Sequence, residues 1–252
     1  MSAQASPSSA AGQSGKAPSI ALLIPCYREA AHIRDVVERC RATGFDTIVV
    51  DDGSPDDTAA VARAAGAHVI VHEVNQGKGG AMNTGFRHVL AQGDRYDAVV
   101  VLDGDGQHLP EEIPAFAEKF AETRAAAIVG NRMDDTGKMP LVRRLTNRFM
   151  SGLLSREMGQ RIPDTQCGFR LFRRDVLPLL LEHGKFAGFA ADSEALLLIS
   201  LEGHEIPSVR VSTVYGDERS KIHTVRDTIR FFRLLRHFRR VRRAHEKAKH
   251  HA

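Results

Sequence analysis

Ala98-Val-Val-Val-Leu-Asp-Gly-Asp-Gly-Gln107 joins five apolar residues to two aspartates set between glycines. The apolar run has the length and β-branching of a strand buried on both faces, and the glycines let the backbone turn sharply where it ends. The same pattern occurs three times upstream. Ser19 to Pro25 leads into Pro25-Cys-Tyr-Arg-Glu29, Thr47-Ile-Val-Val50 into Asp51-Asp-Gly-Ser54, and Ala67 to His72 into Asn75-Gln-Gly-Lys-Gly79. Helical patterns separate these strands: Ile33, Val36, Val37 and Cys40 at spacings of three and four, an Ala-rich segment that Gly66 would stop, Lys78 to Gln92, and Pro110 to Thr123, which opens with Pro-Glu-Glu as first turns do. Apolar strands alternating with helices of about 10–15 residues predict an α/β fold, a parallel sheet covered on both faces. Ligands of such sheets bind beyond the carboxyl ends of the strands, so all four loops are expected to converge on one crevice.

The 252 residues, 42% apolar and 26% charged, make one large domain or two small ones. Ten prolines and 21 glycines exclude collagen-like and wholly disordered chains. Cys26, Cys40 and Cys167 are too few and too scattered for a disulfide framework or a zinc site, which suits a reducing compartment and a cytoplasmic protein. No run approaches the ~18 apolar residues of a spanning helix. Residues 1–18, rich in Ser, Ala, Gln, Gly and Pro, lack the apolar centre of a signal peptide and read as a disordered leader. Neither G-x-G-x-x-G nor a P-loop occurs, so a dinucleotide cofactor is not supported.

Charge is unevenly placed. From Arg219 onward twelve Lys/Arg face only Asp227 and Glu246, giving +10 against +4 for the whole chain, so the body carries −6. A basic tail on an acidic body points to an anionic partner surface. Val225, Ile229, Phe232 and Leu235 recur there at helical spacing, extended by Phe231, Leu234, Phe238 and Val241 and interleaved with arginines. This predicts a basic amphipathic C-terminal helix lying in an anionic membrane interface, or, alternatively, a terminal helix docked on the domain with its arginines in water. No aromatic platform or recognition motif accompanies it, so no nucleic acid is expected.

Asp103 and Asp105, two apart at a strand mouth, can address a single hard cation, Mg²⁺ or Mn²⁺, that completes its shell with phosphates and water. The plainer alternative is a surface turn whose aspartates bond their own backbone. Asp51 and Asp52 can accept hydrogen bonds from a nucleobase or ribose, while Ser54 or Asp57 can equally cap the next helix. The glycines after Asn75 allow close backbone approach, with Lys78 offering charge. Asp192 and Glu194 open an apolar helix, where acids complement the helix dipole.

Ile24-Pro-Cys-Tyr-Arg-Glu-Ala30, Val49-Val-Asp-Asp-Gly-Ser54, Asn75 through Ala81 and Val101-Leu-Asp-Gly-Asp-Gly-Gln-His108 together resemble the family 2 inverting glycosyltransferases of GT-A fold. Gly130-Asn-Arg132, Asp164-Thr-Gln-Cys-Gly-Phe-Arg170 and Arg219-Ser-Lys-Ile222 are similar to the polyprenyl-phosphate mannosyl- and glucosyltransferases within that family. The likeness runs from about Ser19 to Leu235. It implies a GT-A nucleotide-sugar-binding domain over residues 19–218, a Rossmann-like, mostly parallel sheet flanked by helices, followed by a basic loop and helix over 219–252. It also implies that Pro25, Tyr27, Glu29, Asp52, Lys78, Asp103, Gly104, Arg219 and Lys221 hold the nucleotide sugar, and that Asp103, Asp105 and Gln107 hold Mg²⁺ or Mn²⁺. Arg132 with Arg143 or Arg144 would receive the acceptor's phosphate. The catalytic set implied is Asp105, Arg132 and Asp164, with Asp164 the first candidate for a base or an orienting group and Asp192 and Glu194 the second.

The implied reaction moves a hexose from a GDP-mannose or UDP-glucose type of donor to an undecaprenyl- or dolichyl-type phosphate, on a protein peripherally attached to the cytosolic face of a membrane. A phosphate monoester is already largely a dianion at neutral pH, whereas a glycan or protein hydroxyl, the alternative acceptor, needs a carboxylate base. A reading of another class is a non-catalytic binding protein with inert acidic loops and a docking arm.

Overall fold

The computed structural model describes residues 17–134, 139–184, 189–212 and 231–243. Its seven strands are β1 (Ile20–Cys26), β2 (Asp46–Asp51), β3 (His68–Val71), β4 (Ala98–Val101), β5 (Ala127–Asn131), β6 (Arg170–Arg173) and β7 (Ser208–Arg210). They form one sheet in the order β3-β2-β1-β4-β6-β5-β7. The helices are α1 (Ile33–Ala42), α2 (Thr58–Ala64), α3 (Gly77–Ala91), α4 (Ile113–Thr123), α5 (Leu141–Met158), α6 (Leu177–His183) and α7 (Phe189–Leu201). The four strands and four helices expected of the first half are present within about three residues of their predicted bounds. Gly66, at φ +93°, takes the left-handed turn that ends α2.

Every residue of β1 and β4 is buried, with Leu22, Leu23, Ile24, Val99, Val100 and Val101 fully so. Each such side chain is worth about 1.5–3 kcal/mol of burial, which is why these runs lie at the centre of the sheet. α1 meets the sheet through Ile33, Val36, Val37 and Cys40, the residues its periodicity selected. From β1 the chain passes to β2 on one side, while β4 pairs on the other. Loops leaving β1 and β4 therefore part in opposite directions and open a crevice between them.

β6 is antiparallel to both β4 and β5 and pairs Arg170 with Val101. That register carries residues 164–169 back past the carboxyl end of β4, into the crevice. A second, smaller core joins α5, α7 and helical residues 231–243, where Phe231, Leu234, Leu235 and Phe238 bury against Leu154 and Leu197. Four apolar residues of this terminal helix are thus packed on the domain, as in the docked alternative, while Phe232 stays exposed. Val225, Ile229, Arg219 and Lys221 lie outside the described residues.

Candidate active site

The loop after β2 is held by its own acids. The Asp52 carboxylate, buried, accepts from the backbone N–H of Gln76 at 2.8 Å and of Gly77 at 2.7 Å, and meets His72 Nδ1 at 2.7 Å. His72 Nε2 lies 2.8 Å from Thr84 Oγ1 on α3, so one carboxylate ties β2, the end of β3 and the start of α3 together. Asp51 accepts from the N–H and hydroxyl of Ser54, whose Oγ in turn accepts from the Arg28 N–H at 2.9 Å. Neither Ser54 nor Asp57 caps α2: Ser54 is bound to Asp51, and Asp57 makes no capping bond. Glu29 is buried beside His32, while its carbonyl accepts the amides of His32, which precedes α1, and of Ile33, its first residue. Pro25 sits inside β1 paired with Val50, and Tyr27 stands at the rim with the Arg28 guanidinium 5.1 Å from its ring centre.

Around the end of β4 the acids face side chains. Asp103 Oδ1 is 2.7 Å from Lys78 Nζ and Asp103 Oδ2 is 3.5 Å from His108 Nε2. Lys78, from the first turn of α3, also reaches Asp192 Oδ2 at 3.0 Å. Burial opposes the charge on Lys78, but the two carboxylates outweigh it and hold the ammonium above its usual range. Burial likewise works against the Asp103 carboxylate, and Lys78 and then His108 overcome it, keeping Asp103 below the ordinary carboxylate range. Gly168 is fitted to this cluster: a Cβ there would stand 2.7 Å from Asp103 Oδ2 and 3.0 Å from Lys78 Nζ. Buried Asp192 Oδ1 and His108 Nδ1 have no hydrogen-bond partner among the described residues. Gly104 turns beneath Cys26, and Asp105 accepts the Gln107 N–H at 3.0 Å.

Asp164, fully buried, grips Arg132 with Oδ2 at 2.7 Å from Nε and Oδ1 at 3.0 Å from a terminal nitrogen. It also accepts the amides of Arg132 and Gln166. Of the two roles expected of Asp164, base or orienting group, the geometry matches the second, since both oxygens are occupied by Arg132. Arg170 is fully buried and donates to the carbonyls of Cys167, Thr165 and Asp192, pinning the 164–170 turn to the first turn of α7. Arg143 and Arg144 are half-buried in the first turn of α5. His72 and His108 went unrecognised in the sequence, although each follows a strand end within a few residues of an acid.

Among the described residues no group of three or more His, Cys, Asp or Glu side chains is placed to hold a metal ion. Asp103, Asp105 and Gln107 nevertheless carry the oxygen donors that suit a hard divalent cation, and Asp192, which shares Lys78 with Asp103, keeps one buried oxygen without a hydrogen-bond partner among the described residues.

The family described as Glycosyl transferase family 2 matches residues 21–180. The chain is 29% identical over 219 residues to UDP-N-acetylglucosamine--dolichyl-phosphate N-acetylglucosaminyltransferase of Methanococcus voltae, covering 79% of this chain and 86% of that protein. It is 30% identical over 221 residues to undecaprenyl-phosphate 4-deoxy-4-formamido-L-arabinose transferase of Sodalis glossinidius, covering 81% of this chain and 63% of that one. Among solved structures, glucosyl-3-phosphoglycerate synthase of Mycobacterium tuberculosis, crystallised with Mn²⁺, UDP-glucose and phosphoglyceric acid, superposes with a TM-score of 0.63 at 20% identity, over 86% of this chain and 77% of that one. This likeness bears out the expected GT-A architecture. The reading as a non-catalytic binding protein is set aside, because the chain belongs to glycosyl transferase family 2 and is a glycosyltransferase.

Proposed function

We propose that this enzyme transfers a hexose, with inversion, from a nucleotide-diphosphate sugar to a polyprenyl phosphate at the cytosolic face of a membrane. The observation that carries the acceptor is the Asp164–Arg132 pair, in which a buried carboxylate spends both oxygens on aiming a guanidinium at 2.7 and 3.0 Å. Such a group suits a phosphate, which needs positioning rather than deprotonation. The acceptors named for the M. voltae and S. glossinidius relatives are of this kind, and the donor named for the former is a UDP-sugar.

In this reading the loops after β1, β2 and β3 shape the nucleotide site, with Tyr27 and Glu29 at its rim and Asp52 fixing the Asn75–Gly79 loop. Asp103, Asp105 and Gln107 hold Mg²⁺ or Mn²⁺, which when bound offsets the charge developing on the departing diphosphate. Lys78 bridges Asp103 and Asp192. Arg132, with Arg143 or Arg144, orients the acceptor phosphate, while Arg219 and Lys221 approach the donor diphosphate.

Incubation with labelled nucleotide sugars, Mg²⁺ or Mn²⁺ and undecaprenyl phosphate is expected to give a product extracted into organic solvent. A second reading, transfer to a glycan or protein hydroxyl, is favoured by the unpartnered Asp192 Oδ1, a carboxylate oxygen open to a proton. Label recovered on a soluble glycan and none in lipid, with Asp192→Asn abolishing it, would establish that reading instead.

A further inference from the structure

The N-terminal half of α5 turns its apolar residues to solvent, unlike a globular helix. Leu141, Leu145 and Phe149, four residues apart, and Val142 between them are 73%, 66%, 61% and 78% exposed, while Asn147, Ser151 and Leu154 are the residues turned inward. Of the eight large apolar residues left exposed among the described residues, four lie on this one helix, and a fifth, Phe232, lies on the segment packed beside it. Clustering of this kind marks a docking surface.

The charges that accompany the stripe are of one sign. α5 holds Arg143, Arg144, Arg148 and Arg156, and its one acid, Glu157, is engaged by Arg239 at 2.7 Å and by Arg242 at 3.4 Å. Between α5 and helical residues 231–243 runs a groove of about 410 Å³ floored by Leu153, Phe232 and Leu235 and rimmed by Arg236, Arg239 and Arg240. An apolar floor inside an arginine rim complements acyl chains beneath anionic headgroups. A second copy of this chain would set arginine against arginine, and a nucleic acid would leave the leucines and phenylalanines in water.

We propose that the exposed face of α5, continued by the arginine-rimmed groove beside it, docks the enzyme on an anionic lipid bilayer. The membrane-facing apolar surface then belongs to α5, and the terminal helix serves as its buttress and as a source of arginines. The face is coupled to the crevice. Ser151, inward on α5, accepts the Thr165 N–H at 2.9 Å, and Thr165 adjoins Asp164, the partner of Arg132. Docking through α5 would bring a lipid-borne phosphate to the side of the domain that holds Arg132, which deepens the polyprenyl-phosphate reading and rests on it in that respect alone.

The test is co-sedimentation of the full chain with phosphatidylglycerol/phosphatidylcholine vesicles containing no polyprenyl phosphate. The wild-type protein is expected to pellet with these vesicles, less so as salt is raised, and to stay in solution with phosphatidylcholine alone. Leu145→Glu with Phe149→Glu is expected to weaken binding by about tenfold or more, with an unchanged circular-dichroism melt because both side chains are already in water. Wild-type protein that ignores anionic vesicles, or a double variant that pellets equally well, would overturn the proposal. So would a wild-type dimer in light scattering that the double variant converts to monomer, which would assign the face to a second copy. Because no sugar moves in this experiment, vesicle binding without a lipid-linked product rejects the acceptor and leaves the surface standing. Transfer to a short, water-soluble prenyl phosphate without vesicle binding does the reverse.

Discussion

On the β2 side of the crevice the carboxylates of Asp51 and Asp52 are filled by donors of their own loops: the Ser54 N–H and hydroxyl, the Gln76 and Gly77 amides and the His72 ring. On the β4 side Asp103 and Asp192 share Lys78, and Asp192 Oδ1 and His108 Nδ1 are buried without partners among the described residues. Both sides began as acids after an apolar strand. The first has spent its hydrogen-bonding capacity on holding backbone, whereas the second keeps buried polar atoms unsatisfied, at a cost of about 1–3 kcal/mol each. Under the proposed function a ligand would offset that cost at Asp192 and His108, with the β2 acids serving shape and the β4 acids chemistry.

Substitutions can break this division, and the largest effect is expected at the hinge between the two roles. Asp164→Ala removes the bidentate partner of buried Arg132 and should cost about 3–5 kcal/mol, seen as a fall of roughly 10 °C in the melting midpoint. Transfer would be lost with it. A variant that melts like wild type would show that Arg132 reaches water or another partner, and would remove Asp164 as its positioning residue. Asp103→Asn is expected to separate the two quantities. Lys78 retains Asp192, so the midpoint should move by only a few degrees, while kcat falls about 10²–10³-fold through loss of the charge facing the diphosphate. Titration of UDP with and without Mg²⁺ supplies the second readout: metal-linked binding should disappear in the variant. Stability lost with turnover retained would reverse the assignment of the two sides.

The first half of the sheet was legible because each strand is a continuous apolar run and each loop begins with residues that turn. Nothing local announced β6. Arg170-Leu-Phe-Arg173 begins and ends with arginines, and its antiparallel direction comes from pairing with β4, a contact between residues about 70 apart. Without β6 the 164–170 turn could not be placed against Asp103, so the sequence left Asp164 as a base or an orienting group with nothing to choose between them. The terminal helix shows a different limit. Its periodicity selected Val225, Ile229, Phe232 and Leu235, extended by Phe231, Leu234, Phe238 and Val241, but period alone does not say which of them protein covers: Phe231, Leu234, Leu235 and Phe238 are buried and Phe232 is exposed. In α5 the opposite happened: an apolar stripe of ordinary spacing faces outward, because Asn147 and Ser151 turn inward, with Ser151 bonding Thr165.

The sharpest use of the comparison has the smallest effect. Asp52→Asn keeps the shape of the side chain but removes its charge and replaces one acceptor oxygen by an N–H₂ group, which faces the Gln76 amide and His72 if it takes the place of Oδ1 and the Gly77 amide if it takes that of Oδ2. Loss of those charge-assisted bonds should cost about 1–3 kcal/mol and raise hydrogen exchange at the two amides. Turnover at saturating donor should change less than about tenfold, since the groups around Asp103 are untouched. If instead the melt is unchanged and the KM for the donor rises steeply, Asp52 touches the nucleotide directly, as the family resemblance implied. A stability loss with kcat and KM little altered leaves Asp52 as the strut of the Asn75–Gly79 loop, its carboxylate satisfied before any nucleotide arrives.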